Sequence, residues 1–308
     1  MEPTPPARLK EQVRDFWNQQ SCDTQVSTAA KFSKGYFEQI EAFRYFDQPF
    51  IHSFAQFTRY HGKRVLEVGF GAGTDFIQWL RAGALASGID LTPEALQNLS
   101  QRIQVYGLPE PESIQVADAE KLPFPDDSFD LGYSFGVLHH SPQTEQAVGE
   151  LVRVIKPGGE LKIMVYNRWS VFVVNQWIKQ ALLRGRPWKS LRWVLWNHIE
   201  SAGTKGYTPT ELSRFLSVLP LESIQIHTEA TAADYLSGSA FPPLNWVNRW
   251  LLRLGGGRHG WRPEQYVGRI GSGGVNAPSG PAPRPPDEVL KTGNRWGFFH
   301  CISARKKG

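Results

Sequence analysis

The chain has 308 residues, 41% of them hydrophobic and 20% charged, enough apolar material for a core and too little charge for a disordered chain. No run of 18 apolar residues occurs, and Met1-Glu2-Pro3-Thr4-Pro5-Pro6 has neither a basic nor an apolar leader region, so neither a membrane span nor a secretory signal is expected. Two cysteines, Cys22 and Cys301, exclude a disulfide framework and a thiolate zinc cage by count and fit a reducing cytosol, while the formal charge of +5 allows weak attraction to phosphates or anionic lipid.

From Leu9 to about Tyr60 the chain is aromatic and polar, and Phe32, Tyr36, Ile40 and Phe43 recur at helical spacing, which predicts an N-terminal helical cap over residues 1–60. Val65-Leu66-Glu67-Val68-Gly69 then reads as a strand ending in a glycine turn, followed by a helix through Phe76, Ile77 and Leu80. Leu85 to Asp90 is the next strand. Thr92 to Tyr106 is a helix with Thr92 as N-cap and Pro93 at its first position. Ser113 to Ala117 and Phe129 to Phe135 are strands, Gln143 to Ile155 a helix, and Lys156-Pro157-Gly158-Gly159 turns into strand Glu160 to Tyr166. Such alternation implies right-handed crossovers and a parallel sheet covered on both faces.

Beyond that strand a helical insertion is expected over 167–220, with one or two helices to about residue 200 and another from Thr208 to Leu219; Leu221 to Thr228 is a sixth strand. Residues 231–290 read as an irregular insertion, with Gly255-Gly256-Gly257 and a Gly/Pro-rich tract from Gly268 to Pro286 expected as a mobile loop. Gly297 to Ala304, in a final segment 291–308, closes the core of residues 61–230 as a last short strand.

Three strand ends carry ligand chemistry. Gly69, Gly71 and Gly73 sit between the first strand and first helix, where backbone N–H groups are free and a ligand meets no Cβ. Asp90 ends the second strand and can accept from both hydroxyls of a ribose; Asp118-Ala119 follows the third, where a carboxylate can accept from an adenine amino group. Glu67, Asp90 and Asp118 each have ordinary capping or loop roles as alternatives, but together they line one edge. The glycine turn is neither the full dinucleotide fingerprint nor a P-loop, so an NAD-dependent oxidoreductase is an alternative and not the first choice.

The motifs Val65–Gly73, Gly88-Ile89-Asp90-Leu91, Asp118–Phe124, Asp127–Asp130, Gly136-Val137-Leu138-His139-His140 and Arg153–Gly159 together resemble the class I S-adenosylmethionine-dependent methyltransferases, in the subgroup of the ubiquinone and sterol methylating enzymes. The resemblance covers about residues 64–166. It implies a doubly wound α/β fold with a seven-stranded, mostly parallel sheet whose last, antiparallel strand lies between the fifth and sixth. It further implies S-adenosyl-L-methionine as cofactor, held by Glu67, Gly69, Gly71, Gly73, Asp90, Leu91, Asp118 and Ala119, with Ser134, Phe135 and Gly136 on the sulfonium side. Phe70 departs from the small or polar residue common at its position.

Because a sulfonium methyl is already activated, no covalent nucleophile or metal is expected, and positioning is the main task. His139 and His140, just past the fourth strand, are the candidate bases, although packing beneath the loop and helix capping explain them equally. Tyr36, Arg44 and Tyr45 are candidates to close over the cofactor, Arg44 by meeting a carboxylate, with an aromatic helix face buried on the sheet as the plain alternative. Eight of the eleven tryptophans (Trp169, Trp177, Trp188, Trp193, Trp196, Trp246, Trp250 and Trp261) lie between the fifth strand and the final segment, outside the cofactor motifs. Residues 168–199 carry Arg168, Lys179, Arg184, Arg186, Lys189 and Arg192 with no acid, interleaved with Trp169, Val173 and Trp177 at helical spacing.

That face suits a lid over a large apolar acceptor, a peripheral membrane contact or a nucleic-acid surface, against the plain alternative of core tryptophans on a solvated helix. Nucleic acid is disfavoured, because Ser134-Phe135-Gly136-Val137 is no Asn/Asp-Pro-Pro-Tyr/Phe motif and both cysteines lie far from the strand ends. The expected activity is therefore methyl transfer to a small organic or lipid-like acceptor, at oxygen ahead of nitrogen or carbon, in a cytosolic and possible membrane-peripheral protein. A non-catalytic binding protein is the alternative from another class. Gly203–Thr208 is a further candidate pocket lining, with an N-cap at Thr208 as its plain explanation.

Overall fold

The computed structural model describes residues 6–236, 242–255 and 290–308. In chain order they form α1 (Pro6–Gln19), α2 (Lys34–Asp47), α3 (Ile51–Ala55), β1 (Arg64–Val68), α4 (Phe76–Arg81), β2 (Leu85–Asp90), α5 (Pro93–Tyr106), β3 (Ser113–Val116), β4 (Phe129–Phe135), α6 (Thr144–Val154) and β5 (Ile155–Asn167). There follow α7 (Val171–Gln180), α8 (Leu191–His198), β6 (Gly206–Tyr207), α9 (Pro209–Ser217), β7 (Leu221–Glu229), α10 (Ala232–Leu236), α11 (Pro242–Leu254), β8 (Leu290–Gly293) and β9 (Phe299–Lys306).

Alternating side chains place two apolar layers on the sheet. Val65, Met164 and Tyr166 face Trp79, Phe57 and Ile51 on one side, while Leu66, Val68, Ile163 and Val165 face Leu151, Val148 and Leu216 on the other. Burial on both faces is why these strands read as nearly continuous apolar runs. The strand order is β3-β2-β1-β4-β5-β9-β7-β8, with β6 paired to β5. Strands β1 to β5 are mutually parallel, and β9 runs antiparallel between β5 and β7, the placement expected for the last strand. The two short strands β6 and β8 extend the expected seven to nine among the described residues.

Local signals explain the helix starts. The Thr92 side chain accepts from Ala95 N–H ahead of Pro93, and Thr208 with Glu211 forms a full capping box ahead of Pro209. The predicted aromatic stripe of the N-terminal cap holds only in part. Tyr36 and Ile40 are buried on α2, but Phe43 is 39% exposed and Phe32 precedes the helix with φ +65°. Trp169, Val173 and Trp177 do not form one exposed stripe either, because Trp169 lies before α7 and Val173 is fully buried. The last strand begins two residues later than expected, at Phe299. Apart from Gly255, the triple glycine, Trp261 and the Gly268–Pro286 tract lie outside the described residues.

Candidate functional site

The chain reverses direction across the sheet between β1 and β4, and parallel sheets open a crevice at the carboxyl ends of the strands there. A cavity of about 510 Å³ lies at that edge, a size typical of sites for small molecules. Glu67, Gly69, Gly71, Asp90, Leu91, Asp118, Ala119, Phe135, Gly136 and His140 all line it. Three expected residues do not. Gly73 packs against α5, where an added Cβ would stand 2.7 Å from Leu99 Cδ1. The buried Ser134 hydroxyl donates to Val68 O at 2.8 Å, tying β4 to the end of β1. His139 stands behind His140 and is fully buried.

The glycine turn has two different jobs. At Gly69 (φ +81°) a Cβ would fall 2.3 Å from Val137 Cγ2, so the residue lets the turn close on the loop after β4. At Gly71 (φ +51°) the space of the missing Cβ meets nothing closer than Cys22 Cβ at 3.7 Å, which leaves its backbone open to a ligand; Cys22 thus lines the cavity, against the expectation that it lies far from the strand ends, because folding brings the N-terminal segment over them. Gly71 N–H donates to Asp90 Oδ2 at 3.0 Å, while Thr92 N–H and Oγ–H reach Asp90 Oδ1 at 3.0 and 2.9 Å. Burial pushes the Asp90 carboxyl up, and these donors partly offset it. Phe70 borders the cavity and packs edge-on against Phe76 over Gly88; the absent side chain at Gly88 makes room for it.

Beneath the turn lies a buried charge cluster. Glu67 accepts from Trp79 Nε1 at 2.7 Å, and its burial, reinforced by the nearby Asp75 carboxylate, pushes its own carboxyl well up. Burial acts on Asp75 in the same sense, but the Arg44 guanidinium outweighs it and holds that carboxyl down. The pair is bidentate, with Nε–Oδ1 3.0 Å and Nη2–Oδ2 2.6 Å. Tyr133 and Tyr45 hydroxyls donate to the same carboxylate. Arg44 thus meets a carboxylate of its own chain. Tyr36 donates to Asn98 Oδ1 at 3.2 Å, bracing α2 on α5.

The far end of the cavity holds titratable groups. Thr204 Oγ–H donates to Ser201 O at 2.7 Å, so its oxygen is left to accept from His140 Nδ1 at 3.0 Å, with Ser201 Oγ also 3.0 Å away. His140 Nε2 stands 3.2 Å from Glu200 Oε2. Tyr166 O–H donates to the same Oε2 at 2.8 Å. Glu200 lines the cavity and holds φ +56°, a conformation costly for a residue with a Cβ. His139 contacts the rings of Tyr166 and His140, centroids 3.9 and 4.2 Å away. Burial, then the neighbouring His140, drive its imidazole well below the usual range, and neither ring nitrogen has a partner.

Sequence patterns missed four contributors. Lys10 on α1 pairs with Asp118 at 2.6 Å and with Glu120, bringing Trp17 edge-on to His140 at 5.2 Å between centroids. The helical spacing of Leu9 and Val13 was the available signal for α1. Asp75 and Glu200 stood in no motif, and only folding brings them to the cavity. Thr204–Tyr207 line a separate hollow with Arg168 and Arg192 instead of this one.

Residues 66–163 match the methyltransferase domain family. The chain is 36% identical over 104 residues to the methyltransferase GfsG of Streptomyces halstedii, covering 33% of this chain and 37% of that one. It is 31% identical over 179 residues to the phthiotriol/phenolphthiotriol dimycocerosates methyltransferase of Mycobacterium leprae, covering 50% and 65%. The chain therefore spans less than two thirds of these curated relatives. Among solved structures, magnesium protoporphyrin IX methyltransferase from Synechocystis PCC 6803, with bound SAH, has a TM-score of 0.55 at 12% identity over 97% of this chain and 100% of that one, a likeness of fold.

Proposed function

We propose, from the premise that the chain belongs through residues 66–163 to the class I S-adenosylmethionine-dependent methyltransferases, that it moves a methyl group from S-adenosylmethionine to a small organic or lipid-like acceptor, at oxygen ahead of nitrogen or carbon. One observation carries this: Gly71, Asp90 and Asp118, from three successive strand ends, line one cavity. The cavity fits the donor by its size, by the open side of Gly71 and by carboxylates spaced along its wall. In this assignment Gly69 and Gly71 face the methionine part and Glu67 its ammonium, Asp90 takes the ribose, and Asp118 with Ala119 and Leu91 the adenine. Phe135 and Gly136 border the sulfonium. Gly73 and Ser134 act indirectly, by seating the turn and β4.

When bound, the donor supplies an electrophilic methyl group, so the chain need only align an acceptor and receive its proton. Trp17, Met164, Phe172, Phe298 and Phe299 give the wall an apolar part, which suits a hydrophobic acceptor. His140 and Glu200 line that space, and a hydroxyl acceptor is the one that most needs them. His139 supports the His140 ring from behind. Calorimetry with S-adenosylhomocysteine and with NADH tests the cofactor; tighter binding of NADH would overturn it. Methyl-labelled donor incubated with metabolite extracts would identify the acceptor, and no donor binding at all would reject both parts.

A further inference from the structure

We propose that the tip of the α7–α8 hairpin together with helix α11 forms a docking surface for an anionic lipid bilayer. The tip exposes Leu182 (43%), Leu183 (77%) and Trp188 (73%), side chains that normally seek burial. Around them stand Lys179, Arg184, Arg186 and Lys189. On α11 the pattern repeats. Trp246, Trp250 and Leu254, at i, i+4 and i+8, are all at least half exposed, while Asn248 and Leu252 on the opposite side are buried. Arg249 and Arg253 flank the apolar stripe and are exposed. Among the described residues none of these six cations makes an ion pair, although Lys189 lies over the Trp193 ring, and no Asp or Glu occurs in residues 168–199 or 242–254.

Charge and shape select the occupant. Apolar tips ringed by unpaired cations match a surface with a hydrocarbon interior beneath anionic headgroups. A second copy of the chain is disfavoured, since a two-fold contact would set these unpaired cations against one another. Nucleic acid offers phosphates but no site for the two adjacent leucines, which cannot stack on bases as aromatic rings do. No helix of the described residues is long and apolar enough to cross a membrane, so the contact is with the bilayer surface. Both α8 and α11 pack on α7, whose Phe172 lines the cavity.

The test is co-sedimentation of the full chain with phosphatidylcholine vesicles, with and without phosphatidylglycerol. Binding is expected only with the anionic lipid, falling steeply between about 0.1 and about 0.5 M salt. R184Q/R186Q/K189Q should weaken it by about 100-fold. L183S/W188S and W246S/W250S should each weaken it at every salt concentration, with circular dichroism unchanged because all four residues are exposed. Absence of sedimentation with anionic vesicles, equal binding to neutral ones, tighter binding to single-stranded RNA, or dimerisation abolished by the same substitutions would each overturn the proposal. Calorimetry with S-adenosylhomocysteine, run on the same samples, reports on the donor site separately, so failure of one proposal is distinguishable from failure of the other.

Discussion

Replacing Asp90 by Asn isolates the contribution of one carboxylate to donor binding. Asp90 already receives Gly71 N–H and two donors from Thr92, and a carboxylate has about four acceptor positions in all. A ribose diol would therefore take what the chain leaves open. Asn keeps the outline but offers one acceptor oxygen and no charge. Hydrogen bonds to charged groups are worth about 1.5–3 kcal/mol each; the chain's three donors leave one position for the ribose, so its loss should cost about 1.5–3 kcal/mol, or about 10- to 100-fold in affinity for S-adenosylhomocysteine.

The apoprotein should respond differently. Burial raises the folded-state carboxyl, so this group's contribution to stability is fully present below the unfolded value of about 3.9 and is lost as pH rises through the folded value. At neutral pH Asn removes that penalty while losing one acceptor, and Tm should stay within about 4 °C. Calorimetric titration paired with thermal melts checks both numbers. Affinity within about threefold of the parent, at equal Tm, would refute the assignment of Asp90 to the ribose.

Burial and Asp75 push the Glu67 carboxyl well up, and a cationic donor beside it should lower it again; titrations of S-adenosylmethionine in buffers of different ionisation enthalpy should show proton release that E67Q abolishes. Glu200→Gln should lower kcat by about 10²-fold or more with unchanged S-adenosylhomocysteine affinity; full turnover of an identified acceptor would discard the base. His300, buried beside Thr228, is pushed down to about 3. Its contribution to stability is present above the unfolded value of about 6.5 and is lost as pH falls toward 3. Between pH 7 and 5 the loss should reach about 2 kcal/mol, and denaturant melts of His300→Leu should show a shallower decline.

Much of the donor site is legible because its geometry is local. A strand end, a glycine turn and a helix start are adjacent in the chain, so Gly69-Phe70-Gly71 and Asp90 could be assigned from spacing, and Thr92-Pro93 declared its helix. The acceptor end is not local. Glu200 lies 60 residues beyond His140, yet their side chains come within 3.2 Å, and Lys10 reaches Asp118 across 108 positions. Spacing likewise could not divide His139 from His140, since neighbouring residues share every pattern while only one ring faces the cavity. What the amino-acid order determined by itself was the alternating α/β course of the core and the loops that meet the donor, because hydrophobic period and turn chemistry act over a few residues. Only the tertiary structure decided which charges are paired, which histidine faces the cavity and which tryptophans meet solvent, because those outcomes depend on burial, and burial is settled by segments far apart in the chain.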